Sequence, residues 1–288
     1  MITKELKTRI TDTIRQKLPM YPSAAKMAIA MGINNAQLSR VLKGELDSVL
    51  SDANWISIAR KLDVQINAEQ PWKTAFTPTY VYIIKQLESC KDYSLSGLIC
   101  DAPDIGKTHA AKEYVKFTKN AIYIDCAQTK TKQKLIRQIA KELGLGHTGK
   151  YSDVYGDLVF YLRSIPNPLV ILDEAGDLDY PAFLELKALW NATEGTCGWF
   201  MMGADGLKKK METNLANKKV GYAEIFSRFG ALYQKITPDG KEAYQDFVNT
   251  QIALIAQANN TGDVKTMIAK SAGSLRRLKK SILKPKAA

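Results

Sequence analysis

Apolar residues recur along this chain in two rhythms, helical over the first sixty residues and then alternating between helical stretches and short continuous runs. From Thr3 to Lys17, Leu6, Ile10 and Ile14 fall four apart among lysine, arginine and threonine, the spacing of one buried helix face. Pro19 and Pro22 end that pattern. From Ser23 to Gly44 the spacing predicts a helix-turn-helix. Ala28 is small enough for two helices to cross closely, Gly32 makes the turn, and Met27, Met31, Ile33, Leu38 and Val41 fill the angle. Trp55, Ile56, Ile58 and Ala59 give a closing helix from Ser51 to Leu62, and the aperiodic stretch from Val64 to Thr74, with Pro71, reads as a linker.

Beyond it, Thr77-Pro78-Thr79 starts a helix over Tyr80 to Cys90 that can lie beside an adenine. An apolar run, Leu98-Ile99-Cys100, follows. Helical patterns at His109–Lys119, Lys132–Leu143, Val154–Ser164 and Pro181–Thr193 then alternate with buried-strand patterns at Ala121–Asp125, Pro168–Leu172 and Gly198–Gly203. Such βαβ alternation predicts an α/β fold with a mainly parallel sheet and ligands at the carboxyl ends of the strands.

The candidate chemistry sits at two of those strand ends. After Cys100 comes Asp101-Ala102-Pro103-Asp104-Ile105-Gly106-Lys107-Thr108, followed by His109 and a helix. Here the backbone from Ala102 to His109, with N–H groups at every position but Pro103, can curl around a β-phosphate, Lys107 can reach the β/γ oxygens, and the Thr108 hydroxyl can hold Mg²⁺. Asp101 stands where such phosphate loops carry glycine, and Asp104 where many do. Each carboxylate adds repulsion near a polyphosphate, so the expectation is a weakened nucleotide site. The second strand end is Leu169-Val170-Ile171-Leu172-Asp173-Glu174, in which Asp173 fits a magnesium ligand and Glu174 a residue that orients water.

Composition narrows the classes. The 288 residues allow two domains, and a formal net charge of +12 points to a polyanionic partner, nucleic acid before membrane. Cys90, Cys100, Cys126 and Cys197 are scattered, with no C-x-x-C pair, and read as reduced core thiols; two histidines, His109 and His147, leave little material for a histidine metal site. The charged N-terminus and the lack of a long apolar run point to a cytoplasmic protein with no membrane partner. Within the helix-turn-helix, the second helix offers Asn35, Gln37, Arg40 and Lys43 to a DNA groove. Lys130, Thr131, Lys132 and Lys134 form a second candidate DNA face that would track phosphates without reading sequence, and Lys208-Lys209-Lys210 a third; the basic tail, Arg276–Lys280 with Lys284 and Lys286, fits DNA or a protein.

Taken in order, these motifs resemble those of the AAA+ ATPases, and within them the Mu B-type transposition ATPases, ATP-dependent target-DNA-binding partners of a transposase. The likeness runs from the helix-turn-helix through Gly106-Lys107-Thr108 and Asp173-Glu174 to Met202-Gly203, Ile225-Phe226-Ser227-Arg228 and Gly273-Ser274-Leu275-Arg276. It implies a P-loop AAA+ domain over 79–236, joined through a linker at 67–78 to a small all-α helix-turn-helix domain over 1–66. A C-terminal helical lid and basic tail would occupy 237–288. It also implies ATP and Mg²⁺ as cofactors, with Lys107 on phosphate, Thr108 and Asp173 on the metal and Glu174 on the attacking water. Arg228 would be a finger reaching a neighbouring subunit's γ-phosphate, and Arg276 the lid's sensor of nucleotide state. The implied activity is slow ATP hydrolysis by a homo-oligomer that winds as a helical filament on double-stranded DNA and stimulates a transposase. Ala204, where the family carries a polar residue, and the two loop aspartates fit the slowness. Two other functions share these motifs: a nucleotide-binding regulator that reads DNA through its helix-turn-helix, and a helicase loader or replication initiator.

Overall fold

The computed structural model describes residues 2–64 and 72–283. Four helices build the head: α1 (Lys4–Lys17), α2 (Ala24–Met31), α3 (Asn35–Leu42) and α4 (Asp52–Leu62). Their periodic residues Leu6, Ile10, Ile14, Met27, Leu38, Val41, Trp55 and Ile58 form one closed core. Gly32 ends α2 at φ +76°, in the left-handed region, which is the turn expected between α2 and α3. Most of the expected linker, residues 65–71, lies outside the described residues, as do Lys284 and Lys286 of the tail.

The central domain runs α5 (Pro78–Asp92), β1 (Ser96–Cys100), α6 (Lys107–Phe117), β2 (Ala121–Asp125), α7 (Lys132–Glu142), α8 (Tyr151–Ser164), β3 (Leu169–Asp173), α9 (Tyr180–Ala192), β4 (Gly198–Gly203), α10 (Asp205–Ala216) and α11 (Tyr222–Arg228). Thr77 caps α5 through its side chain and Pro78 takes the first helical position, the start expected at Thr77-Pro78-Thr79. All pairings in the described sheet are parallel, in the order β1-β4-β3-β2. Helices cover both faces, which is why the strands read as continuous apolar runs. Alternation survives inside those runs: Leu98, Val170, Leu172, Trp199 and Met201 face the core under α7, α8 and α9. Ile99, Leu169, Ile171, Phe200 and Met202 face α5 and α6.

After α11 the chain returns beside β1, where Gln234 N donates to Leu98 O at 3.0 Å and Cys100 N donates to Gln234 O at 3.2 Å. It then enters the lid, α12 (Lys241–Ala258), α13 (Val264–Ser271) and α14 (Leu275–Leu283). Val248, Ile252, Ile255 and Leu278 form the lid core, with Trp72 packed against it. Lys73 N donates to Asn259 Oδ1 at 2.9 Å and Asn259 Nδ2 donates to Lys73 O at 3.0 Å, so the segment before α5 is tied to the end of α12. The head rests on the central domain at α6, α7 and α8. Lys26 Nζ lies 5.2 Å from the Tyr161 ring centre and Lys116 pairs with Asp63 at 3.8 Å. No described helix is long and apolar enough to cross a membrane.

Candidate nucleotide site and nucleic-acid faces

The loop between β1 and α6 and the end of β3 meet at the carboxyl edge of the sheet. Gly106 takes φ +102° and opens α6 with no side chain capping it, and the first turn holds no acidic residue. The orphan N–H groups there are therefore available to an anion, the arrangement that suits a phosphate. Lys107 is buried, and its Nζ donates to the carbonyls of Asp101 at 2.8 Å and Ala102 at 2.7 Å. Burial holds its pKa below the ordinary lysine value, with Asp101 and Asp173 opposing that shift.

Thr108 Oγ1 donates to Asp173 Oδ2 at 2.6 Å, so the two residues read as magnesium ligands are in contact. A hydroxyl beside a buried carboxylate fits Mg²⁺, which takes few protein oxygens and completes its octahedron with water and phosphate. No group of three acidic, histidine or cysteine side chains able to hold a metal occurs among the described residues. Glu174 follows in the left-handed region at φ +50°, exposed, with its N–H on Asp173 Oδ1 at 2.9 Å. Burial first and the Asp173 charge second raise its pKa. The arrangement brings together a helix turn with uncapped N–H groups, a hydroxyl–carboxylate pair and an exposed carboxylate.

Several roles differ from the expectation. The Asp101 carboxylate is buried and accepts from Ala102 N (2.7 Å), Ile236 N (2.6 Å), Thr237 N (2.9 Å) and Thr237 Oγ1 (2.5 Å). These bonds fasten the loop to the root of the lid, a structural task that the sequence reading does not assign to Asp101. Asp104, at φ +61°, also bonds to the lid: Ser274 Oγ donates at 2.6 Å and Arg276 N at 3.2 Å. Through these bonds Arg276 stands beside the phosphate loop. Pro103 is exposed at the loop's crest, and Ile105 is buried beneath it. The His109 ring turns to Thr74, with Nε2 3.1 Å from Oγ1, and meets Trp72 edge-on at 6.5 Å. Arg228, at the end of α11, lies with its guanidinium 5.1 Å from the Trp190 ring centre. No sequence motif points to Tyr123, yet its hydroxyl donates to Asp173 Oδ2 at 2.8 Å. Its one signal is a phenol in the middle of an otherwise aliphatic strand.

The basic faces are also partly committed. Lys130 pairs with Asp177 at 3.1 Å and Lys132 with Glu185 at 3.9 Å, while Lys134 is exposed and Thr131 stands at the N-cap of α7. Lys210 donates to the carbonyls of Gly176 and Leu178, at 2.8 and 2.5 Å, so it braces α10 against the segment after β3 and is not a free DNA contact. On α3, Asn35, Arg40 and Lys43 are exposed, and Arg40 pairs with Glu45 at 2.7 Å. Gln37 corrects the DNA-reading set. Its Oε1 accepts from Asn34 N at 3.1 Å in a capping box and its Nε2 donates to Val49 O at 3.3 Å, so both ends of the amide serve the head itself.

Residues 91–211 match the model of the AAA domain. The chain is 26% identical over 211 residues to the Mu-like prophage FluMu DNA transposition protein B of Haemophilus influenzae, covering 71% of each. It is 28% identical over 225 residues to the ATP-dependent target DNA activator B of Escherichia phage Mu, and 27% identical over 223 residues to that of phage D108. Each of these two alignments covers 75% of this chain and 67% of the relative. In fold it is similar to the Aeropyrum pernix ORC1 protein, solved in complex with DNA, with a TM-score of 0.52 at 16% identity over 72% of this chain and 58% of that one. With its parallel sheet, Gly-Lys-Thr loop and helical lid, the chain has an α/β fold of the AAA+ type and resembles the Mu B-type transposition proteins.

Proposed function

We propose that this protein is an ATP-dependent, oligomerising DNA-binding ATPase that selects target DNA and stimulates a transposase, hydrolysing ATP slowly. The observation that carries the reading is the contact of Thr108 with Asp173 beneath an uncapped helix N-terminus, with Glu174 free beside it. Bound ATP with Mg²⁺ supplies an electrophilic γ-phosphorus and the charge that screens it. Lys107 exchanges its two carbonyl partners for phosphate oxygens, Thr108 and Asp173 hold the metal, and Glu174 orients water. Arg276 approaches from the lid. Arg228 serves a neighbouring subunit, which ties hydrolysis to assembly. The names of the relatives support target-DNA activation in transposition.

The test is Glu174→Gln. ATP and DNA binding should persist while turnover falls by roughly a hundredfold or more, the scale of losing a catalytic carboxylate. Hydrolysis at the unmodified rate would remove Glu174 from the reaction, and a wild-type chain that does not hydrolyse ATP would overturn the ATPase reading.

A further inference from the structure

We propose that Asp104 is a positioning residue that latches the lid to the phosphate loop, holding the backbone of Arg276 in place while leaving its guanidinium free to move. Its link to catalysis rests on the reading of the loop as a nucleotide site; the latch itself is built from hydrogen bonds already present.

Position 104 requires a left-handed backbone, φ +61°, which glycine adopts freely and aspartate tolerates. The side chain added here is the one that can complete the start of α14. Helix α14 opens with N–H groups that have no partner inside the helix. Asp104 accepts from one of them, Arg276 N, at 3.2 Å, and from the Ser274 hydroxyl at 2.6 Å. Ser274 Oγ in turn accepts from Arg277 N at 3.2 Å. A carboxylate on a helix N-terminus also meets the positive end of the helix dipole. Loop and lid, 170 residues apart in sequence, thus share one chain of hydrogen bonds.

The two halves of Arg276 behave differently. Its backbone is bonded, whereas its side chain is 82% exposed, with Nε 3.7 Å from Asp104 Oδ1. An exposed ion pair at that distance is weak and exchanges readily for a phosphate. Leu275 lies against Gly106 from the same turn of helix, within 3.8 Å of where a Cβ would stand. Movement of the loop around a nucleotide is therefore passed to α14 through Asp104. The same carboxylate fixes the point from which Arg276 swings.

The experiment compares the full-length wild-type chain with Asp104→Gly, Asp104→Asn and Ser274→Ala. Glycine keeps the backbone and deletes the latch; asparagine keeps an acceptor and loses the charge; the serine change breaks the latch from the lid side with the loop untouched. Without nucleotide, hydrogen exchange at Arg276 and Arg277 should speed up roughly tenfold in Asp104→Gly and Ser274→Ala, and less in Asp104→Asn, with α6 unchanged. In steady-state ATPase assays, kcat should fall about tenfold in Asp104→Gly with KM shifted less than about threefold, and asparagine should restore part of it. Unchanged exchange in α14 overturns the latch. So does a lower KM at constant kcat in both Asp104 variants, because the carboxylate would then act only by repelling phosphate. If none of the four proteins, wild type included, hydrolyses ATP, the ATPase reading fails and exchange alone decides the latch.

Discussion

At the scale of single residues, Asp173 shows how a carboxylate in the site is held from both of its oxygens. Its buried carboxylate meets Thr108 and Tyr123 at one oxygen and the Glu174 N–H at the other. In the proposed function Thr108 belongs to the metal site itself, whereas Tyr123 only steers the carboxylate. The phenol is held neutral, its pKa raised by burial first and by Asp173 second, and Lys112 lies over its ring at 5.1 Å. Partners of this kind orient a metal ligand, and their loss costs about tenfold or more in metal affinity. Tyr123→Phe keeps the ring and removes the hydrogen bond. It should raise the Mg²⁺ concentration for half-maximal ATPase activity by roughly tenfold while leaving nucleotide binding without metal unchanged. A Mg²⁺ titration that superimposes on wild type would show the phenol to be a bystander. Asp101 and Asp104 teach the opposite lesson. Each reads as misplaced charge because its partners, Thr237 and Ser274, lie far along the chain, and nothing in the local sequence announces them.

At the scale of elements, the strands and most helices are legible because both signals that define them are local. Apolar runs of five or six residues between turn residues give β2, β3 and β4, and four-residue spacing gives α1, α7 and α9. Helix α10 escapes the pattern, since its lysine-rich exposed face conceals the two buried anchors Leu207 and Met211. The docking of head on body is illegible for the same reason as the bonds between loop and lid. It turns on one close approach, at Gly144, which takes φ +72° and where a Cβ would stand 2.3 Å from Lys26 O. That obstacle is backbone and cannot rotate away. Gly144→Ala should therefore destabilise the chain by about 1–3 kcal/mol, through overpacking and a strained φ together. Because the head has its own core, calorimetry should show it melting apart from the central domain, with nucleotide binding retained. A single transition at the wild-type temperature would mean that the interface can yield.

At the scale of the whole molecule, the question is which basic surface carries DNA. A net charge of +12 favours either face, so the partners each face already holds must decide. Lys130 and Lys132 already hold carboxylates, but both lysines are solvent-exposed and such pairs are worth roughly 0–1 kcal/mol, which a line of phosphates can replace. They flank the segment after β3, so DNA on this face would sit beside Glu174 and sense the nucleotide. The head offers Asn35, Arg40 and Lys43, with Gln37 withdrawn into its cap. Gln37→Ala would confuse the comparison, since breaking the capping box costs about 1 kcal/mol of head stability. The clean pair is Lys130→Ala with Lys132→Ala and Lys134→Ala, against Arg40→Ala with Lys43→Ala. If ATP-bound subunits wind on the duplex through the first face, binding to random DNA should require ATP and grow cooperatively with length. The triple variant should then weaken it on all sequences alike. Its salt dependence should flatten by roughly 0.9 in log–log slope for each phosphate it no longer neutralises, because fewer condensed counterions are released. The head variant should keep most of that affinity. The opposite result, with the head variant failing on random DNA and the triple variant binding as wild type, would move DNA recognition to α3 and make the nucleotide site a regulator of the head.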